Sequence, residues 1–170
     1  INLVPQETHG GSMRYVFAKK GARTVEPIVE EILSSELHKG FNLEKTYIQF
    51  KENCEKSKSR LLKILQDAKN DGKSVAGYGA TSKSTTILNY CGIGPDLISY
   101  ISDTTPIKQN TVTPGTHIPV QSYEYFKDNI PDVIILFAWN HANEIIEKEK
   151  DSINSSVEWI THLPDFDLKI

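Results

Sequence analysis

The segment Ser74-Val75-Ala76-Gly77-Tyr78-Gly79-Ala80-Thr81-Ser82-Lys83-Ser84 decides how this chain is read. Residues 74–78 have the composition of a short buried strand. Gly79–Ser82 read as a tight turn. Lys83–Tyr90 continue as a helix, closed by Gly92 and Gly94-Pro95. Strand, glycine turn and helix open a parallel α/β unit. Downstream, Leu97–Ile101 predicts a second strand that ends at Ser102-Asp103. Thr104–Gly115 is polar and without period, hence a long loop of the kind that tends to carry function. Ile118–Val120 is a short strand, Ser122 caps a short helix to Asn129, and Val133–Phe137 is the strongest apolar strand. A helix over Ala142–Lys150, a strand over Val157–Thr161 and a tail from Pro164 complete the chain. The alternation predicts an α/β fold: a mostly parallel sheet flanked by helices, over residues 73–170.

Upstream of that segment the pattern differs. Ile1–Val4 and Ser12–Ala18 are β-like and flank His9-Gly10-Gly11, which gives a hairpin-like start. Thr24 or Glu26-Pro27, with Pro27 tolerated in a first turn, begins a helix to about Leu37 that stops near Gly40. A longer helix starts near Asn42 and ends at Asp71-Gly72. Along it Tyr47, Phe50, Cys54, Ser57, Leu61, Ile64 or Leu65, and Ala68 recur at helical spacing, which predicts one buried stripe. Residues 1–72 are therefore expected to pack on the sheet of residues 73–170 within one compact domain.

Composition narrows the class. The chain has 170 residues, a formal net charge of −3, 38% hydrophobic and 24% charged residues. That length supports a real core without staples. The mild negative charge excludes a nucleic-acid binder driven by bulk positive charge. Disordered and fibrous classes are excluded as well. The longest apolar run, Val133–Trp139, is strand length, so no membrane span is expected. Cys54 and Cys91 stand alone without CxxC or His partners, so they read as buried reduced thiols and not metal ligands. A cytoplasmic setting is expected on that basis. The chain starts at Ile1 and its only methionine is Met13, which suggests a piece of a longer protein.

The chemistry concentrates at strand ends. Gly77 and Gly79 keep the strand–helix turn small, so that backbone N–H groups can approach an anion at the helix start. Lys83 and the hydroxyls of Thr81, Ser82 and Ser84 suit phosphate oxygens. Asp103 lies 26 residues after Gly77, near where a dinucleotide fold places its ribose-binding acid. Ser82 replaces the third glycine of GxGxxG, so the fingerprint is partial. Trp139 could stack on a ring and Asn140 could hold a hydroxyl; equally, Trp139 could be core and Asn140 a helix cap. Lys108 and His117 sit in or beside the long loop, as a substrate rim or as solvated connection. Arg14, beside the first glycine turn, could pair with phosphate bidentately. There is no Walker motif, no GxSxG elbow and no paired-carboxylate signature.

The same residues carry a resemblance. HGGSMR (9–14), GYGATSKSTTILNYCGIG (77–94), SDTTPIKQNTVTPGTHIPV (102–120) and AWNHANEI (138–145) together resemble the C-terminal domain of S-adenosylmethionine-dependent sugar C-methyltransferases, which act on nucleotide-linked 4-keto-deoxyhexoses. The match runs in order along essentially the whole chain. It implies a Rossmann-like domain that helps hold a nucleoside diphosphate sugar. The partner domain would bind the methyl donor, and a zinc-binding segment would lie further upstream. The implied reaction abstracts the proton beside the keto group and passes the donor methyl to the resulting enolate. The family's Tyr-x-Glu-His base cluster does not occur in this chain, so no catalytic residue is expected here, and the piece alone should be inactive. The resemblance implies substrate contacts from Arg14 and from Gly77, Tyr78, Gly79, Ala80, Ser82, Lys83 and Ser84, with Lys83 as charge partner. His117, Trp139 and Asn140 are further candidates. Thr81-Ser82 and Thr104-Thr105 depart from the family pattern. Two other readings remain: an NAD(P)-binding domain of an oxidoreductase, resting on Gly77, Gly79 and Asp103, and a non-catalytic support domain.

Overall fold

A computed structural model describes residues 1–8, 11–153 and 156–162. His9-Gly10 of the expected first turn and the tail from Pro164 lie outside the described residues. The chain divides into two compact units, Ile1–Glu55 and Lys56–Ile170. Among the described residues no helix is long and apolar enough to cross a membrane.

In the first unit, β1 (Asn2–Gln6) pairs antiparallel with β2 (Ser12–Val16), with Val4 opposite Arg14. Helix α1 (Pro27–His38) begins with Pro at its first position, where a missing N–H costs nothing. The chain then turns at Gly40, whose φ of +72° is the left-handed region glycine enters without a Cβ clash. The Thr46 hydroxyl donates to the Gly40 carbonyl at 2.6 Å and fixes the start of α2 (Glu44–Asn70).

Helix α2 corrects one expectation. Its stripe is buried only in its second half, at Leu61, Leu65 and Ala68. Tyr47 and Phe50 are exposed and Cys54 is half-buried. Among the described residues nothing covers Tyr47 and Phe50. Period alone specifies a face; a partner surface is needed to bury it.

The second unit holds a six-stranded sheet: β3 (Val75–Tyr78), β4 (Ile101–Ser102), β5 (Thr111–Val112), β6 (Pro119–Gln121), β7 (Val133–Leu136) and β8 (Glu158–Ile160). Their spatial order is β5-β6-β4-β3-β7-β8, and all neighbours are parallel except the edge pair β5–β6. Helices α3 (Ser82–Cys91), α4 (Tyr123–Asp128) and α5 (Ala142–Glu149) connect them. The fold class read from the sequence is the one observed. Because the sheet has two covered faces, its central strands β3 and β7 are buried at every position. Strand alternation sorts them: Val75, Val133 and Ile135 join Leu61, Leu65 and Leu88 in one cluster. Ala76, Tyr78, Ile134 and Leu136 join Phe126, Ala142 and Trp159 in the other.

Local chemistry places the connections. Ser74 and Asp132 bond to each other at the starts of β3 and β7: the Ser74 N–H donates to the Asp132 carboxylate at 2.7 Å and the Asp132 N–H to Ser74 Oγ at 2.9 Å. Gly77 has no room for a side chain, since a Cβ would lie 2.8 Å from Phe137 Cε2 and 2.9 Å from Ile101 Cγ1. Thr81 caps α3 by accepting from the Ser84 N–H, and Ser122 caps α4 by accepting from the Tyr125 N–H. The second strand is shorter than the expected Leu97–Ile101. Its approach nevertheless bonds to β3, with Ser99 N–H donating to Val75 O and Gly77 N–H donating to Tyr100 O.

Candidate functional site at the C-terminal edge of the parallel sheet

Strands β4, β3 and β7 are adjacent and parallel, so the loops that leave their C-terminal ends meet. The chain moves from β3 to one side through β4 and later returns to its other side as β7. That reversal is the topological switch point, where ligands bind in open α/β sheets. The backbone ladder continues past the strands into these loops: Gly79 N–H donates to Ser102 O at 2.8 Å, and Phe137 N–H to Tyr78 O at 3.0 Å. Gly79 adopts φ +92°, and a Cβ there would lie 3.2 Å from the Ala138 Cβ.

A cleft of about 330 Å³ opens between the loops, lined by Gly79, Thr81, Asp103, Lys108, Ala138 and Lys148 among others. Asp103 organises one wall. Its Oδ1 accepts from the Thr105 N–H at 2.8 Å, and its Oδ2 accepts from the Ala80 N–H at 2.8 Å and from Lys108 Nζ at 3.1 Å. Lys108 also donates to the Ala80 carbonyl at 2.8 Å, so it latches the glycine loop to the loop after β4. Burial opposes ionisation of Asp103, but the Thr105 hydrogen bonds and the Lys108 charge outweigh it and hold the carboxyl below the usual carboxylate range.

Beneath the cleft lies Glu149, buried and accepting from two phenols, Tyr78 and Tyr123, each at 2.8 Å. Burial, then the Glu149 hydrogen bond and charge, push the Tyr78 hydroxyl well above its ordinary value. Tyr78 therefore keeps its proton and serves as a donor that holds Glu149 in place.

Beside the cleft, the structure brings three sequence-predicted residues together. Lys83 Nζ donates to Asn140 Oδ1 at 3.0 Å and sits 4.8 Å from the Trp139 ring centroid, a cation–π distance. Trp139 Nε1 is buried and has no acceptor among the described residues. Asn140 and Trp139 fall in a single 3-10 turn, Trp139–His141, directly after β7. The Lys83–Asn140 bond thus ties the start of α3 to the loop after β7.

The other candidates are placed differently. Ser84 is buried, and its hydroxyl donates to Thr81 O at 2.7 Å. The hydroxyls of Thr81 and Ser84 are thereby engaged by the cap. Ser82 and Lys83, at the first two helical positions, keep N–H groups with no intrahelical acceptor. His117 is exposed, with φ +57°, in the turn between Thr113 and Ile118. That turn rests on the other end of α3, where Asn89 donates to Pro114 O at 2.9 Å. Seven residues at the helical rise separate the two ends by about 10 Å, so His117 is not gathered with Lys83, Trp139 and Asn140. Arg14 is exposed on β2, in the first unit. Lys148 lines the cleft and carries no sequence signal beyond that of a helix-surface lysine. Among the described residues no group of three or more His, Cys, Asp or Glu side chains is placed to hold a metal ion.

The sheet order, the glycine turn and the cleft at the switch point define a Rossmann-like α/β domain. The chain belongs to the C-methyltransferase C-terminal domain family, whose model matches residues 7–164. It is 38% identical over 167 residues to the C-methyltransferase NovU of Streptomyces niveus, covering 97% of this chain and 40% of that relative. The chain thus spans about two fifths of the relative's length.

Proposed function

We propose that this domain holds the nucleoside diphosphate sugar for a longer, S-adenosylmethionine-dependent enzyme that C-methylates a keto-deoxysugar. The rest of that enzyme would bind the methyl donor, supply the base that removes the proton beside the keto group, and carry the zinc segment. The observation that carries this reading is the convergence of three loops at the switch point, with lysines at or beside the cleft they form. Cations and first-turn amides suit a diphosphate. Family membership supplies the methyl-transfer chemistry.

The state of Asp103 weakens the NAD reading, in which an acid at this position takes the ribose 2′-hydroxyl. Here both Asp103 oxygens already accept hydrogen bonds from the protein, and the side chain is 8% exposed. The sugar-nucleotide reading assigns Asp103 no ligand contact; it orders the loops around the cleft instead.

The test is thermal stabilisation of the chain by separate ligands. A nucleoside diphosphate-linked keto-deoxyhexose is expected to raise the melting temperature in a concentration-dependent way. Stabilisation by S-adenosylmethionine or NAD alone, with none from the sugar nucleotide, would overturn the reading.

A further inference from the structure

We propose that Lys148, in the last turn of α5, is the cation that holds the diphosphate in the cleft; this rests on the sugar-nucleotide reading above. The sequence directs attention to Lys83, the lysine of the glycine loop. The geometry directs it elsewhere. Lys83 donates to Asn140 Oδ1 beside the Trp139 ring, outside the lining of the cleft. Lys108 does line it, but two of its three N–H donors go to Asp103 and the Ala80 carbonyl.

Lys148 also lines the cleft. Its ammonium lies 3.3 Å from Glu149 Oε1 and 4.2 Å from the Tyr123 ring centroid, and its side chain is 51% exposed. Glu149 accounts for one donor of three, which leaves hydrogen-bonding capacity for a ligand. The carboxylate and the ring also act as a seat. Glu149 is itself fixed by the Tyr78 and Tyr123 phenols, so Tyr123 contributes to the seat twice: by bonding Glu149 and by facing the ammonium. A lysine loses rotamer freedom when it binds an anion, and one already held from one side loses less. The carboxylates nearby are each partnered: Asp103 by two N–H groups and the Lys108 ammonium, Glu149 by two hydroxyls and the Lys148 ammonium. An anion entering the cleft therefore meets the two lysines that line it and no carboxylate without a cation beside it.

The experiment is a calorimetric titration of the chain with thymidine diphosphate and, separately, inorganic pyrophosphate. Lys148→Met is expected to weaken both by about tenfold, the loss of one charge-assisted contact. Lys148→Arg should stay within about threefold of wild type, because it keeps the charge. Tyr123→Phe should weaken binding by about threefold, as the seat loosens while the charge remains. Lys148→Met also removes the cation paired with buried Glu149, so the affinities are compared at a temperature where circular dichroism shows every variant folded. Wild-type binding that Lys148→Met leaves unchanged overturns the assignment of Lys148 and leaves the sugar-nucleotide reading standing. A wild-type chain that binds neither probe, nor the keto-deoxyhexose nucleotide, overturns both.

Discussion

The two halves of helix α2 carry the same kind of apolar stripe. Tyr47 and Phe50 in the first half are 60% and 67% exposed, whereas Leu61 and Leu65 in the second are 2% and 0% exposed. The difference lies in what faces them. The second half meets Leu88, Cys91 and the odd-numbered residues of β3 and β7. The first half lines a groove of about 780 Å³ with Leu33, Leu37 and Phe41. Spacing at three and four residues states which side of a helix is apolar; the energy comes only when that side leaves water.

The largest effect that sharpens this comparison is expected at Leu65. Leu65→Ala removes a fully buried side chain and should cost about 2–5 kcal/mol, read as a lowered denaturant midpoint. A loss below about 1 kcal/mol would break the contrast, because it would show the second half to be as loosely covered as the first.

A second effect uses pH, because His162 is buried in the same cluster region, edge-on to Phe137. Burial pushes its imidazole from 6.5 down to about 4. The unfolded chain takes up the proton near 6.5, whereas the folded chain resists it until about 4. The stability from the neutral ring is complete above the higher value and is lost as pH falls toward the lower one. Between pH 7 and pH 5 the loss should be about 2 kcal/mol. His162→Leu should flatten that slope when midpoints are compared at the two pH values. An unchanged slope would assign the acid sensitivity to other groups.

The smallest effect is expected at Phe50. With two thirds of its surface in water, Phe50→Ala should shift the midpoint of the chain by no more than about 0.5 kcal/mol. A loss comparable to that at Leu65 would mean that the first half of α2 is covered in solution.

The sheet was legible because its connections are written in local chemistry. Gly79, Thr81 and Gly92 bracket α3, and Ser122 starts α4, each by a cap or turn whose residue type is diagnostic. The apolar runs at Val75–Tyr78 and Val133–Leu136 signalled strands buried on both faces. The site was legible in part for the same reason: Lys83, Trp139 and Asn140 each adjoin a strand end, and parallel pairing brings those ends together. The rest depends on long-range partners. Asp103 reads as a ribose acid until Ala80, 23 residues earlier in the chain, is seen to donate to it. Lys148 sits among Glu147, Glu149 and Lys150, a run that looks like any solvated helix face. Only the burial of Glu149 beneath it sets it apart.

Gly77 has a consequence for how this site can change over generations. A methyl group there would press on Phe137 and Ile101 at 2.8 and 2.9 Å, so any larger residue at position 77 is blocked while Phe137 stands. A smaller residue at 137 removes the ring, and Ile101 must give way as well, before the change at 77 becomes tolerable. The reverse order passes through an overpacked chain, costly by about 1–3 kcal/mol. The entrance to the glycine loop is therefore historically constrained. Its variation has to be licensed from the neighbouring strand first, and lineages that have not altered position 137 should still carry glycine at 77.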